Sequence, residues 1–255
     1  MGMISTAAYP EPLLIMGVPV VPFESYGQVV ACVEDIVRTG RKSFFVAVNP
    51  EKVYRAVRDP RLLAILRGAD AGLCDGIGVA LAVRLLYGRG ISRCTGCDLF
   101  FHLVAAAAEK GWRVFLLGAS PESNALACSR LRSMYPGLQI VGGVGGYFED
   151  SQPVVNRINA SSADLLFVGM GSPKQEFWIA EHRPVIQTPF CMGVGGTFDV
   201  VSGKARRAPK VFRRTGTEFL FRLVTSPSRW RRQMVLPVFL LAVLRGMLSK
   251  RESIG

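Results

Sequence analysis

Residues 163–182 read ADLLFVGMGSPKQEFWIAEH, and this stretch contains the basic unit of the predicted fold. Residues 164–169 form a short apolar run, which is typical of a strand buried on both faces of a sheet. The segment GSPKQE follows as a turn signal, with Pro173 at a position that suits the first turn of a helix. The stretch therefore predicts a strand, a loop and then a helix over residues 174–181.

The same alternation of short apolar runs and longer amphipathic runs extends through the chain. The pattern predicts strands over residues 43–48, 113–117, 138–142, 164–169 and 190–194. It predicts helices over residues 26–39, 51–67, 77–87, 99–110, 121–135, 152–161 and 174–181. Strands rich in Val, Ile, Leu and Phe that alternate with helices indicate an α/β fold, with a mostly parallel sheet covered by helices on both faces.

The basic residues are concentrated at the C-terminal end of the chain. From Ser202 to the C-terminus there are 13 basic and 2 acidic residues, so this part carries +11 of the formal net charge of +12. We therefore divide the chain into a nearly neutral α/β core, residues 1–201, and a basic appendage, residues 202–255. Such a basic segment can bind nucleic acid, anionic lipid or a phosphorylated substrate, and composition alone does not choose among these.

A short apolar segment, residues 234–244, lies inside the basic appendage and has arginines on both sides. A helix that crosses a bilayer needs roughly 20 apolar residues, so this segment is too short to span one. Cationic residues around a short apolar stretch favour a helix that lies in the membrane interface. The alternative is a terminal helix packed on the core, and the two arrangements are compatible.

Composition and cysteine usage narrow the class of protein further. Of the 255 residues 49% are hydrophobic, which supplies a large core and excludes a disordered chain. Six cysteines are scattered through apolar segments with no secretory signal before them, so we expect free thiols in a reducing cytoplasm. The spacing Cys94-x-x-Cys97 lacks the second pair or the histidines that a zinc site needs, and we expect no bound metal.

Polar residues follow the predicted strands at the positions where ligands bind in open α/β sheets. Asn49 follows the first predicted strand, and Asp75 stands before the helix over residues 77–87. The segment 171–176 follows the predicted strand over residues 164–169, and the glycine-rich segment 193–199 begins at the end of the predicted strand over residues 190–194. Each has a structural alternative, since Asp75 could only cap a helix and the glycines could only permit tight turns.

Several common catalytic patterns are absent from the sequence. It has two histidines, neither of them in a His-Glu-x-x-His motif, and it has no Gly-x-Ser-x-Gly segment. Its glycine segments do not match the fingerprints of ATP-binding or dinucleotide-binding loops. No Asp-x-Asp pair is present to hold a metal on a nucleotide diphosphate, so arginines of the appendage would have to neutralise such a group.

Eight sequence blocks, in one order over about residues 12–235, resemble the WecG/TagA/CpsF family of bacterial glycosyltransferases. The blocks are VAVNPEK (46–52), CDGIGVALAVR (74–84), SRCTGCDLF (92–100), VFLLGASPE (114–122), YPGLQIVGGVGGYF (135–148), INASSADLLFVGMGSPKQE (158–176), MGVGGTFDVVSGKARRAPK (192–210) and EFLFRLVTSPSRWRRQ (218–233). Their motif detail is most similar to the WecG branch, because Ala47 stands where some members have threonine.

The resemblance implies a Rossmann-like fold with a helical C-terminal appendage that meets the membrane. It implies an inverting, metal-independent glycosyltransferase without a cofactor, which moves a sugar from a UDP-sugar donor to a polyprenyl-diphosphate-linked saccharide, the undecaprenyl form in bacteria. The expected place is the cytoplasmic face of the inner membrane, where the enzyme is peripheral and meets anionic lipids. The expected pathway is the synthesis of a surface polysaccharide or exopolysaccharide.

The resemblance also assigns roles to individual residues. Asp75 matches the proposed catalytic base, which takes the proton from the acceptor hydroxyl. The residues expected to bind the substrates are Asn49, Arg93, Gln175, Gly193, Gly195, Gly196 and Asp199. The residues expected to bind the UDP diphosphate are the appendage arginines Arg222, Arg229 and Arg232.

Two alternative functions remain at this stage. N-acetylmannosamine is the favoured donor sugar, but a UDP-glucose-dependent exopolysaccharide glucosyltransferase of the same family would have the same motifs. A basic nucleic-acid-binding protein would belong to another class. We expect no nucleic-acid partner, because the aromatic residues of the appendage fall among apolar residues and not on a base-stacking surface.

Overall fold

A computed structural model describes residues 9–218, 220–221 and 235–252. The strands are β1 (Leu13–Ile15), β2 (Val18–Val20), β3 (Ser43–Val48), β4 (Ala71–Cys74), β5 (Arg113–Gly118), β6 (Gln139–Val144), β7 (Leu165–Gly169) and β8 (Phe190–Gly193). The helices are α1 (Tyr26–Thr39), α2 (Pro50–Ala56), α3 (Pro60–Gly68), α4 (Ile77–Tyr87), α5 (Gly96–Lys110), α6 (Pro121–Met134), α7 (Gln152–Ala160), α8 (Lys174–His182), α9 (Thr197–Val201), α10 (Lys210–Thr215) and α11 (Val235–Glu252).

Six strands form one sheet in the order β4-β3-β8-β7-β5-β6, and every neighbouring pair is parallel. β1 and β2 form a separate antiparallel hairpin, which the sequence pattern does not indicate. The parallel sheet confirms the predicted Rossmann-like α/β fold. All five predicted strands are present, with ends that differ from the prediction by at most two residues.

The structure corrects the prediction between β3 and β5. The predicted helix over residues 51–67 is two helices, because Pro60 has no N–H to continue α2 and disfavours a helical residue before it. Asp59 instead caps α3 by accepting the N–H groups of Arg61 and Leu62, at 3.0 and 3.1 Å. β4 then adds a sixth strand, four residues long, which the prediction omits.

Helices cover both faces of the sheet, and alternate strand residues supply two separate cores. On one face Phe45 and Phe167 pack with residues of α1, α5, α6 and α9. On the other face Phe44 and Leu166 pack with residues of α2, α3, α4, α7 and α8 and with the β1–β2 hairpin. The polar ends of the strands therefore meet along one edge between two covered faces.

The C-terminal helix α11 packs on α2 and α4. Phe239 and Val243 are buried in the same core as these helices. The other side of α11 exposes apolar residues, namely Val238, Leu241 and Leu244. The described residues thus show a docked helix with an apolar outer face, and they contain no helix long and apolar enough to cross a membrane.

The cysteines are free thiols, and five of the six are buried. Burial raises the pKa of Cys94 and of Cys191 to about 11 in each case, so these thiols stay protonated near neutral pH. Within the described ranges no group of three or more His, Cys, Asp or Glu side chains is arranged to hold a metal ion.

Candidate active site

The candidate site lies at the carboxyl edge of the sheet, where β4, β3, β8 and β7 are consecutive neighbours. Asp75 follows β4, Asn49 follows β3, Gly195 follows β8, and Gln175 follows β7 after a short loop. Residues from four distant parts of the sequence therefore meet here, as the rule for ligand sites in parallel sheets predicts.

Asp75 is half-buried and is held by the ends of two neighbouring elements. Its backbone N–H donates to the carbonyl oxygen of Val48 at 2.9 Å, which ties it to the end of β3. Its carboxylate oxygen Oδ1 accepts the N–H of Gly96 at 3.3 Å. Gly96 is the first residue of α5, so the positive end of this helix faces the carboxylate and fixes its orientation.

Asn49 caps α2 and so begins the helix beside Asp75. Its side-chain oxygen Oδ1 accepts the backbone N–H of Lys52 at 2.9 Å, the usual bond of an asparagine at an N-cap. Because the oxygen is used in this way, a ligand would meet the side-chain amide nitrogen, which is a hydrogen-bond donor.

Arg93 lies between the end of β4 and the segment that follows α10. An added Cβ on Gly216 would lie 2.7 Å from Nη1 of Arg93, so the guanidinium group packs closely on that glycine. Burial and the charge of Asp75 raise the pKa of the Cys74 thiol to about 12, while the charge of Arg93 acts in the opposite direction. The backbone N–H of Cys94, the residue after Arg93, donates to the carbonyl oxygen of Cys74 at 2.9 Å, so the segment that carries Arg93 lies beside the end of β4.

Gln175 is buried, with 3% of its surface exposed, and both ends of its amide are used inside the protein. Oε1 accepts the backbone N–H of Gly195 at 2.9 Å, and Nε2 donates to Oε1 of Glu176 at 3.0 Å. The structure places Gln175 at the carboxyl edge of the sheet, where its amide faces the glycine turn after β8 from the inside of the protein.

An ion pair that the sequence analysis does not identify continues from Gln175. Nζ of Lys52 lies 2.7 Å from Oε1 of Glu176 and donates to the carbonyl oxygen of Ala47 at 2.6 Å. The two side chains are only 3% and 1% exposed. The signal that the sequence offers for this pair is a lysine and a glutamate in the first turns of the helices that follow two buried strands, in the blocks NPEK and SPKQE.

Glycine is required at Gly193, the last residue of β8, and at Gly195, in the turn that follows, for two different reasons. An added Cβ on Gly193 would lie 2.4 Å from Nε2 of Gln175, so a larger residue does not fit there. Gly195 has φ +55°, in the left-handed region that favours glycine. Gly196 is exposed at the start of α9, and Asp199 lies half-buried within that helix.

The described part of the basic appendage begins packed on the core. Nζ of Lys204 donates to Oγ of Ser120, the cap of α6, at 3.1 Å. Arg207 forms an ion pair with Asp98 in the first turn of α5, and its guanidinium lies 4.9 Å from the centroid of the Phe101 ring. The predicted diphosphate ligands Arg222, Arg229 and Arg232 lie outside the described residues.

Polar residues at the carboxyl edge of a parallel sheet with helices on both faces are typical of α/β enzymes, which bind their ligands beyond the ends of the strands. The fold and the site place this protein in that class. The comparison with protein families makes the assignment specific. The profile described as "Glycosyl transferase WecG/TagA/CpsF family" matches residues 13–253, so the chain belongs to this family and is a glycosyltransferase. The resemblance drawn from the sequence blocks is confirmed.

The chain is similar to an "N-acetylglucosaminyldiphosphoundecaprenol N-acetyl-beta-D-mannosaminyltransferase" from Bacillus spizizenii (strain ATCC 23059 / NRRL B-14472 / W23). It is 40% identical to this chain over 203 residues, which cover 80% of this chain and 79% of the relative. The aligned part is therefore large enough to include most of the core.

Proposed function

We propose that this enzyme transfers N-acetylmannosamine from its UDP-sugar to N-acetylglucosamine linked to undecaprenyl diphosphate, with inversion at the anomeric carbon. The observation that carries the proposal is the position of Asp75, a carboxylate held at the carboxyl edge of the sheet by the end of β3 and the first turn of α5, in a chain 40% identical to a mannosaminyltransferase. This reaction serves the synthesis of a cell-surface polysaccharide.

The proposed reaction is a single displacement. The acceptor hydroxyl oxygen attacks the anomeric carbon of the donor, its proton passes to the carboxylate of Asp75, and the bond from that carbon to the diphosphate oxygen breaks. UDP leaves from the opposite face of the sugar, which accounts for the inversion. The amide nitrogen of Asn49 donates to a substrate oxygen, and Arg93 completes the polar side of the site.

The leaving diphosphate acquires negative charge as the bond breaks. Arg222, Arg229 and Arg232 of the appendage are the groups proposed to neutralise it, since guanidinium groups bind phosphate in a bidentate manner. The Gly193–Gly196 turn and Asp199 are proposed to receive the nucleotide. No step of this scheme uses a metal ion.

A UDP-release assay with several donors tests the proposed substrates. We expect release with UDP-N-acetylmannosamine, only when a short-chain lipid-diphosphate-N-acetylglucosamine acceptor is present, and unchanged release when EDTA is added. UDP-glucose should give little release, because a donor is discriminated through contacts at the carbon where the two sugars differ. Acceptor-dependent release with UDP-glucose alone would instead assign the glucosyltransferase alternative.

We further propose that the enzyme is a peripheral protein on the cytoplasmic face of the membrane, with α4 and α11 towards the lipid. Leu81 and Leu85 of α4 are exposed, as are the outer apolar residues of α11, and the two helices are in contact. The exposed basic residues Arg84 and Arg245 belong to the same helices and suit anionic headgroups.

Vesicle binding tests the membrane face. Replacing Leu241, which is 56% exposed, by glutamate should weaken binding to phosphatidylglycerol-containing vesicles by at least about tenfold, because an apolar contact is lost and an anionic group meets the headgroups. Leu126→Glu is the matched control, since Leu126 is 45% exposed on α6, whose buried residues belong to the core of the opposite face of the sheet. Equal binding by the two variants would contradict the proposal.

A further inference from the structure

The end of β8 differs from the ends of its two neighbours in the sheet. β3 and β7 lie on either side of β8, and the helices that follow them, α2 and α8, cover the same face. The chain after β8 turns to the opposite face, where α9 packs on α6. Within the described residues, α9, the helix directly after β8, therefore lies on the face opposite to α2 and α8.

Three buried polar side chains cross the end of β8 at this place. Lys52 from α2 reaches Glu176 in α8 at 2.7 Å, and Glu176 accepts a hydrogen bond from Gln175 at 3.0 Å. Gln175 lies against Gly193 and accepts the N–H of Gly195 at 2.9 Å. We call Lys52, Glu176 and Gln175 the buried brace, which joins the loops after β3, β7 and β8.

Stability alone does not account for a polar brace. Burying two charged groups is costly, and apolar side chains of similar volume commonly replace such pairs with no loss of stability. The second carboxylate oxygen of Glu176, Oε2, is buried and has no partner among the described residues, so the pair is not fully satisfied. Among the bonds of the brace, the one between Gln175 and the N–H of Gly195 is the bond that reaches the glycine turn after β8.

The bond to Gly195 matters because its turn is rich in glycine. Gly193, Gly195 and Gly196 have no side chains to fix the turn, and glycine has the largest conformational freedom of any residue. A hydrogen bond from inside the protein selects one conformation of such a turn before a ligand arrives. A turn fixed in this way loses less entropy on binding, which is the general advantage of preorganisation.

We propose that Lys52 and Glu176 are positioning residues, which act through Gln175 to hold the Gly193–Gly196 turn in the conformation that receives the donor's nucleotide. The inference rests on the proposed function, because it takes the ligand of this turn to be UDP. Gln175 then acts from beneath the turn through its two internal hydrogen bonds, and not as a direct substrate contact.

Two double variants test the positioning role. Lys52→Met/Glu176→Gln and Lys52→Met/Glu176→Leu both remove the ion pair, but only the glutamine keeps an oxygen that accepts from Gln175. UDP affinity is measured by calorimetry, together with the KM for the donor, kcat and the unfolding midpoint. We expect the glutamine variant to bind UDP within about threefold of wild type and the leucine variant to bind it about tenfold more weakly, the change for one lost hydrogen bond.

A third variant covers the case in which the leucine double variant does not fold. Gln175→Leu keeps the pair of Lys52 and Glu176 and removes the bond to Gly195, and it should show the same loss of UDP affinity with faster hydrogen exchange at the Gly195 amide. Equal UDP affinity and KM in all folded variants and in wild type would overturn the positioning role alone. Wild-type protein that binds no UDP would overturn the proposed function as well.

Discussion

Asp75→Asn should lower kcat by about two to four orders of magnitude, the usual contribution of a positioned general base. In the wild-type structure Oδ1 of Asp75 accepts the N–H of Gly96 at 3.3 Å. Asparagine has the size of aspartate and keeps an oxygen that can accept this N–H, so the local structure should persist. The amide cannot take the acceptor proton. The KM for the donor should therefore change little, and the loss should appear in kcat, measured by UDP release under saturating substrates.

The control for this variant is Asp59→Asn, which makes the same change at a carboxylate that also accepts backbone N–H groups. Asp59 caps α3, and asparagine is as good a helix cap as aspartate, so kcat and stability should both stay near wild type. Retention of more than about a third of kcat by Asp75→Asn would remove Asp75 from the role of base, since catalysis by a general base is worth far more than that factor.

The sequence predicts that the candidate site residues lie at one edge of the sheet, but it does not predict the order of the strands in that sheet. Short apolar runs located five of the six parallel strands, and the rule for α/β sheets then placed Asn49, Asp75 and the glycine segment at one edge. β4 was missed because its four residues, with a glycine among them, are too short to show a periodic pattern.

The buried brace could not be predicted because it depends on tertiary neighbours. Lys52 and Glu176 are 124 positions apart in the chain, and they meet only because β3, β8 and β7 are adjacent in the sheet. The direction of Gln175 is also a tertiary property, since its amide could have faced solvent or Gly195 with the same local sequence. Pattern reasoning located the residue and not its hydrogen-bond partners.

The C-terminal helix shows the same limit. The sequence of residues 234–244 allowed a helix in the membrane interface or a helix packed on the core, and α11 has the features of both. Its buried side packs on α2, which begins one residue after Asn49, and on α4, which begins two residues after Asp75. Its outer side exposes apolar residues. An added Cβ on Gly78 would lie 2.6 Å from Leu236, so α11 approaches α4 near the residues of the site.

Phe239→Ala should therefore destabilise the protein by about 3–5 kcal/mol, the range for removing a large buried aromatic side chain from a core. Phe239 has no exposed surface and packs with the core that includes α2 and α4. The free energy of unfolding is measured with denaturant. Leu241→Ala is the control on the same helix, and because Leu241 is 56% exposed, its change should stay within about 0.5 kcal/mol.

The comparison of these two variants also separates the two roles of α11. Phe239→Ala should lower both stability and kcat, because α11 packs on α2 and α4, which begin one residue after Asn49 and two residues after Asp75. Leu241→Ala should leave both unchanged in detergent and should weaken only vesicle binding. Equal stability of the two variants would mean that α11 does not depend on Phe239 for docking. The packing of Phe239 would then not explain how α11, which carries the proposed membrane face, is held against the helices next to Asn49 and Asp75.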